Sequence, residues 1–456
     1  MQPRKERFLS GPMALGFAVY GLFALTFSYF QVQGDGLVYF NLLRRFFGEE
    51  PDFAYAYQFG SAVWNAPFFL VGKASGIVFG FQPDTFHVSF EELAITVATN
   101  AAFVLTLYLG WRILKELGLP RGPDVLFLTA FGTPLFFYVV FEPGGKHAVD
   151  TLVLTAATYA FLRCSSERAI RPALALGALA GWSVNIRWAN GAFFLALGVA
   201  LLLRERRRLV GMGAAAMAAV AVVILVLPAF RGIQYFFPII SQPTNGALAR
   251  VAAPAHGFPL AAQPIDDSDP RGFFDPTIPA RMLFSDHRGL FLWTPLAAAA
   301  AIGFALALQA RKGRDREQRW FLVSLLAAAL ALLLVHVFWP RWDGGFAFSQ
   351  RFLTGLFPLY LIGVAELVRR ARSAVYPALG LAVVFAVAAA FVHDIGYDGV
   401  SERDSLSHVV EVGYYDRDNL RLKLQDDAKD RWKYLWGLLQ GRDSKCLNEP
   451  FGTTDC

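Results

Sequence analysis

The chain has 456 residues, of which 55% are hydrophobic and 17% are charged, and its formal net charge is +6. Soluble globular proteins carry about 25% charged residues, so this composition excludes an ordinary soluble domain. The excess of positive charge does not require nucleic acid as a partner, because basic loops that face anionic lipid headgroups account for it. We therefore expect membrane lipid as a partner and no nucleic acid.

Apolar runs of roughly 20 residues, nearly free of charge, recur along the chain and match the thickness of a bilayer core. Backbone groups inside lipid must be satisfied within the segment, so each run is expected to be a helix. The predicted fold class is an all-α polytopic membrane protein with about eleven transmembrane helices. The predicted spans are 11–30, 91–111, 125–141, 147–162, 172–186, 189–203, 209–229, 288–310, 320–338, 352–368 and 374–392. The pair 172–203 could instead form a re-entrant segment, because Arg187 and Asn190 interrupt it.

The basic residues predict the orientation of the chain. They are concentrated in the N-terminal MQPRKER and in short loops that fall on one side of the membrane, namely 112–121, 163–171, 204–208, 311–319 and 369–372. Loops rich in Lys and Arg stay in the cytoplasm, so the N-terminus is predicted to be cytoplasmic. Residues 1–392 then form one transmembrane domain, with outer loops at about 31–90, 230–287 and 339–351, and residues 393–456 form an extracytoplasmic C-terminal tail.

One apolar stretch, residues 59–81, is long enough to cross a membrane but conflicts with this orientation. If it crossed, every later basic loop would face outward. Pro67 and Lys73 also interrupt the run. We interpret the stretch as an interfacial or partly inserted segment on the outer side.

The first outer loop contains a carboxylate in an unusual setting. Asp35 lies between Gly34 and Gly36, and the apolar residues that follow recur every three or four positions. This pattern predicts an amphipathic helix that lies flat on the membrane, with Asp35 at its N-terminus. Two interpretations are open: Asp35 caps the helix, or it meets a lipid-borne substrate that the glycines allow to approach closely.

The GD-x-x-x-Y pattern of Gly34, Asp35 and Tyr39 resembles the first-loop motif of the GT-C membrane glycosyltransferases. Further stretches are similar to the bacterial members of that superfamily: FEPGGKHAVD (141–150), NIRWANG (185–191), SDHRGLFLWTPL (285–296) and WDGGFAFSQRFLTGLFPLYLIGVAE (342–366). The resemblance implies a GT-C-like fold whose first outer loop carries interfacial helices, in the bacterial inner membrane. It also implies transfer of a sugar from a polyprenyl-phosphate donor to a glycan, lipid or protein acceptor on the extracytoplasmic face.

The same resemblance bears on metal binding. Many members pair two acidic residues in this loop, whereas here glycine stands on both sides of Asp35. No cofactor is firmly implied, and a divalent metal has only weak support.

Sugar transfer of this kind needs a base for the acceptor hydroxyl and cations for the leaving phosphate. Asp35 is the candidate base for an inverting reaction, and Glu142 is a candidate assisting acid. The candidate phosphate-binding residues are Lys146, His147, Arg187, His287, Arg288, Arg341 and Arg351. Each also has a structural alternative, such as a headgroup anchor, a helix cap or an ion pair.

Two other functions remain open. A transporter or lipid flippase would place polar groups near the bilayer midplane, often on broken helices. Here most polar candidates lie at the outer boundary, which favours an enzyme. A glycan ligase would use a similar outer-face cavity, and the sequence does not separate it from a sugar transferase.

Overall fold

The computed structural model describes residues 8, 11–28, 32, 35–49, 59–79, 89–166, 170–204, 210–215, 217–218, 275–310, 316–338, 348–371 and 374–395. Within these residues every regular element is a helix. The first nine are α1 Gly11–Phe27, α2 Asp35–Phe46, α3 Gly60–Phe79, α4 Phe90–Glu116, α5 Pro123–Phe131, α6 Leu135–Val140, α7 Lys146–Ser166, α8 Arg171–Ile186 and α9 Asn190–Arg204. The later ones are α10 Ile278–Phe284, α11 Leu290–Trp293, α12 Pro295–Ala310, α13 Arg316–Leu334, α14 Phe357–Ala371 and α15 Tyr376–Ile395. There are also two short 3-10 helices. Val335–Phe338 continues α13, and Arg351–Leu356, which we call the 351–356 turn, leads into α14.

Four segments are long and apolar enough to cross a membrane: Phe90–Glu116, Arg316–Phe338, Arg351–Ala371 and Tyr376–His393. Helices α1, α9 and α12 are apolar but shorter. Large apolar side chains stand exposed on these helices, including Leu15, Leu203 and Leu381. Exposed apolar side chains in this number are expected where a protein meets lipid. The fold is thus that of an all-α membrane protein, while the number eleven stays a prediction, since most of the predicted span 209–229 lies outside the described residues.

Two predicted spans are interrupted. Residues 125–141 form α5 and α6 with a break at Gly132–Pro134, and residues 288–310 form α11 and α12 with a break at Thr294. Pro134 ends the first break, and Pro295 directly follows the second. A proline ring removes a helical hydrogen bond and clashes with the preceding turn, which interrupts the helix. Proline in both runs was the sequence signal for these interruptions.

Helix α2 begins at Asp35 as predicted, but its apolar face packs against protein rather than lying freely on the membrane. The rings of Phe40 and Phe47 lie 5.7 and 5.5 Å from that of Phe69 on α3. At the first turn, Gly36 lies against the backbone of Gly144 and Gly145, within 3.1 Å of the position that a Cβ would occupy. The absence of a side chain at Gly36 therefore allows α2 to dock on the turn that precedes α7.

Helix α3 lies along the first part of α4. The indole of Trp64 donates a hydrogen bond to the carbonyl of Ala98 at 3.0 Å, and Gly72 packs against the backbone of Phe90 and Glu91. The two helices therefore run antiparallel, and α3 is not among the four segments long and apolar enough to span.

Several predicted features fall on residues that the structure does not describe. These are most of the outer loop 230–287, the greater part of the loop 339–351 with Arg341, and the tail after residue 395.

Candidate functional site

The N-terminal half of α4 anchors two segments from different parts of the chain. Ser89 and Glu92 form a reciprocal cap at its start, and the Glu92 carboxylate also accepts a hydrogen bond from the backbone N–H of Val32 at 3.3 Å. Two turns further on, the Thr99 hydroxyl accepts a hydrogen bond from the backbone N–H of Gly144 at 2.9 Å. The approach to α2 and the turn before α7 are thus fixed to the same helix.

Asp35 lies where these segments meet. Arg351, on the 351–356 turn, donates a hydrogen bond from Nη1 to Asp35 Oδ2 at 3.1 Å. Lys146, the first residue of α7, places Nζ 3.9 Å from the same oxygen. All three side chains retain a small exposed fraction, between 12% and 16%. Residues predicted separately from three distant stretches of sequence therefore come together.

Glu142 joins this group from the turn between α6 and α7. Its carboxyl group accepts a hydrogen bond from the backbone N–H of Asp35. Burial, and then the Asp35 carboxylate, raise the pKa of Glu142 to about 8, against the opposing charges of Arg351 and Lys146. Glu142 is therefore mainly protonated at neutral pH and leaves the local charge to Asp35 and its two cations. We call Asp35, Glu142, Lys146 and Arg351 the Asp35 cluster.

A second polar group contacts the 351–356 turn and centres on Arg187. Between α8 and α9 this residue adopts an extended backbone (φ −154°, ψ 116°), and its side chain is almost fully buried. The guanidinium lies 3.3 Å from Asp150 Oδ2 and 3.2 Å from His147 Nδ1. It also donates a hydrogen bond to the carbonyl of Phe352 at 2.9 Å. Each of these partners is buried, as a charge in a membrane protein interior requires.

Asp150 and Asn190 complete this group, and the sequence reasoning did not single them out as site residues. The Asn190 amide donates hydrogen bonds to Asp150 Oδ1 at 2.5 Å and to the Ser183 hydroxyl at 2.8 Å. An acidic residue inside the apolar run 147–162 was the signal that could have identified Asp150, because intramembrane carboxylates are rare and usually paired. We call His147, Asp150, Arg187 and Asn190 the Arg187 network.

The remaining candidates are placed less centrally. Arg288 is fully buried, with its guanidinium 4.8 Å from the centre of the Trp293 ring. Trp293 in turn packs on Phe348, whose carbonyl accepts a hydrogen bond from the Tyr138 hydroxyl at 2.9 Å. Arg288 thus lies beside the segment that leads into Arg351.

His287 has a different position. Its backbone N–H donates a hydrogen bond to the Ser285 hydroxyl at the turn before α11.

The surroundings of Asp35 suit an anion better than a metal ion. One ionised carboxylate faces two cations in the Asp35 cluster, so the cluster carries an excess of positive charge that would repel a divalent cation. In the part of the chain that the structure describes, no three His, Cys, Asp or Glu side chains come together in a way that could hold a metal ion.

Comparison with known proteins adds little to this geometry. No protein-family model matches the chain, and no curated protein sequence matches it. Among solved structures, the apo oligosaccharyltransferase of Archaeoglobus fulgidus is similar over 97% of this chain, with 12% sequence identity and a TM-score of 0.44. This chain spans 61% of the length of that protein. A TM-score at this level does not establish a shared fold.

Proposed function

We propose that this protein is a membrane glycosyltransferase of the GT-C type. It moves a sugar from a polyprenyl-phosphate donor to a glycan, lipid or protein acceptor on the extracytoplasmic face, with inversion at the anomeric carbon. The observation that carries the proposal is the contact of Asp35 with Arg351 and Lys146 at a partly exposed position. A lone carboxylate beside two cations matches the needs of a transfer that combines a base with a phosphate leaving group.

The proposed reaction is a direct displacement. The acceptor hydroxyl oxygen forms a bond to the anomeric carbon as the bond between that carbon and the donor phosphate oxygen breaks. The hydroxyl proton passes to the Asp35 carboxylate, and the bonding electrons leave with the lipid phosphate. A general base in this role contributes about 10²–10⁴-fold to the rate.

The cations then have two successive roles. Before the donor binds, Arg351 and Lys146 are directed at Asp35 Oδ2. A donor phosphate offers them a stronger and bidentate partner, so its arrival draws them away from Asp35 and leaves the carboxylate to accept a proton. Donor binding and activation of the base are in this way coupled.

The test is transfer of sugar from a labelled polyprenyl-phospho-sugar in membranes. Asp35→Asn is expected to lower the rate by about 10²–10⁴-fold. Arg351→Gln is expected to weaken donor use by about 10- to 100-fold, the cost of a hydrogen bond to a charged group. Asp286→Asn, which changes an exposed carboxylate of the same predicted outer face, serves as the matched control and is expected to retain activity.

Full activity of Asp35→Asn at normal expression would rule out Asp35 as the base. Accumulation of a lipid-linked or free sugar in sealed vesicles, without transfer, would instead indicate a transporter or flippase. Movement of a complete glycan, seen by product analysis, would indicate a ligase.

A further inference from the structure

We propose that Asp150 is a positioning residue, which acts through Arg187 to hold the 351–356 turn where Arg351 meets Asp35. The inference rests on the proposed function only for the role of Arg351 in transfer. Asp150 itself is fully buried, and its carboxylate oxygens contact Arg187 and Asn190, so it is not placed to touch a substrate.

The first link joins Asp150 to the turn through Arg187. The guanidinium bridges Asp150 Oδ2, at 3.3 Å, and the carbonyl of Phe352, at 2.9 Å. Its Cζ atom lies over the Phe352 ring, 5.3 Å from the ring centre. Phe352 directly follows Arg351, so the position of the Phe352 carbonyl fixes the backbone from which the Arg351 side chain extends.

The second link is direct packing between α7 and the turn. A Cβ at Gly355 would overlap Leu154 on α7 and would lie 3.5 Å from Asp150 Oδ2. The turn thus rests on α7 at the level of Asp150, with no room for a side chain between them. Because the interior is packed to crystal-like density, a shift of Asp150 would be transmitted to the turn.

The third link is the spacing along α7. Lys146 and Asp150 are four residues apart and therefore lie on one face of the helix, so a single helical turn separates the cation that contacts Asp35 from the carboxylate that holds Arg187. Asn190, which also binds the Ser183 hydroxyl, donates a hydrogen bond to the other carboxylate oxygen of Asp150. The network therefore sets the spacing between α7 and the turn, and hence the distance between the two cations of the Asp35 cluster.

The first test follows the turn itself and needs no enzymatic assay. Cys164, Cys446 and Cys456 are replaced by Ser, and Ser349→Cys then reports on the segment entering the turn. Ser349 is fully buried, and its hydroxyl has no hydrogen-bond partner among the residues that the structure describes, so the change to Cys removes no hydrogen bond seen there. Adding Asp150→Asn is expected to speed labelling of this cysteine by a water-soluble maleimide by about tenfold, as ~1.4 kcal/mol of lost local stability would.

A matched probe separates this effect from general unfolding. Ser324→Cys places a cysteine at a buried position of α13, where the native hydroxyl bonds within its own helix. Its labelling rate is expected to stay unchanged when Asp150→Asn is added. An equal acceleration at both positions, or none at position 349, would overturn the proposal.

The second test pairs Asp150→Asn with Arg187→Gln to remove both buried charges together. Removing one partner of a buried pair is costly, whereas removing both is far less so. The double variant is expected to recover thermal stability relative to Asp150→Asn, while labelling at position 349 stays fast because the link to Phe352 is broken. If labelling returned to the slow rate along with stability, Asp150 would be only a structural counter-ion.

The third test connects positioning with transfer in a double-mutant cycle. Asp150→Asn is expected to reduce donor use by about tenfold in the natural background, and by less than about twofold when Arg351→Gln is already present. Equal losses in both backgrounds would contradict action through Arg351. If the natural protein transferred no sugar, the proposed function would fail, while the labelling results would still decide whether Asp150 holds the turn.

Discussion

At the scale of single residues, the chemistry of the Asp35 cluster depends on which carboxyl group is charged. Asp35 contacts both cations, whereas Glu142 binds the Asp35 backbone and has its pKa raised to about 8, first by burial and then by Asp35. Two carboxyl groups placed close together with unequal surroundings commonly divide their roles in this way. Here the division leaves Asp35 as the anion and Glu142 as a neutral hydrogen-bonding group in the turn outside the predicted spans.

The pH dependence of donor use follows from two shifted pKa values in the Asp35 cluster, the raised pKa of Glu142 and the lowered pKa of Lys146. In the folded protein the raised pKa favours the protonated form of Glu142. The stability that this form contributes is complete below the ordinary pKa of a glutamic acid and is lost as the pH rises through about 8. Above that pH a second carboxylate competes with the donor phosphate for Arg351 and Lys146, and Lys146 itself loses its charge because burial lowers its pKa to about 8. We therefore expect KM for the donor to rise between about pH 7 and about pH 9.

Glu142→Gln keeps the neutral shape of the residue and cannot ionise. At about pH 7 it is expected to retain activity within about threefold, and its KM for the donor should rise less steeply at alkaline pH than in the natural protein, because only the loss of charge by Lys146 remains. Glu116→Gln, at the distant end of α4 where Glu116 pairs with Arg163, should keep the natural pH dependence. An alkaline rise in Glu142→Gln as large as that of the natural protein would assign the titration to Lys146 and contradict a role for Glu142.

At the scale of elements, the sequence predicted where helices begin better than where they break. The predicted helix after Asp35 is present as α2, because its apolar spacing and its flanking glycines are local signals. The interruptions at Gly132–Pro134 and Thr294 also had local signals in proline. The partner of α2 had none, since the contacts of Phe40 and Phe47 with Phe69 depend on how α3 folds back.

The candidate site shows the same limit more clearly. Charge and position in outer loops were enough to name Asp35, Lys146 and Arg351, but the distances between them depend on tertiary packing. Asp150 and Asn190 were not among the predicted site residues because their role depends on contacts with Arg187 and with each other, between residues that are far apart in the sequence or in different elements. Pairwise burial of this kind has no periodic signature in a single sequence.

The contact between α12 and α14 gives a prediction that belongs to these elements. A Cβ at Gly303 would overlap the carbonyl of Gly363, and a Cβ at Gly363 would overlap that of Ala300. Small residues at such crossings let helix backbones approach closely in membranes. Gly303→Ala is therefore expected to lower stability by about 1–3 kcal/mol, measured as a lower Tm in detergent.

A matched control uses a glycine with open space around it. Nothing lies within 4 Å of a Cβ built at Gly380, on α15, and alanine favours the helix there. Gly380→Ala should leave Tm unchanged or raise it slightly. A similar loss of stability in both variants would show that helix packing at Gly303 is not the cause.

At the scale of the whole molecule, the side of the membrane on which each later segment lies depends on whether α3 crosses the membrane. It runs beside the first part of α4, from the Trp64–Ala98 hydrogen bond to the contact of Gly72 with Phe90 and Glu91. Beyond Ala98, α4 continues to Glu116. At 1.5 Å per residue, the end of α4 therefore lies more than about 20 Å beyond the level at which α3 begins. Helix α3 runs beside only the first part of α4 and therefore does not reach the end of α4 at Glu116.

The expected consequence is that both ends of α3 lie on the same, outer side of the membrane. Single cysteines replacing Asp52 and Thr85, in a background without the natural cysteines, are expected to react with a membrane-impermeant maleimide added outside. A cysteine replacing Gly313, in a predicted cytoplasmic loop, should react only after the membrane is permeabilised, and one replacing Ser405 in the tail should react from outside. If Asp52→Cys and Thr85→Cys react from opposite sides, α3 spans the membrane, and the basic loops that follow would then face outward against the usual retention of Lys and Arg in the cytoplasm.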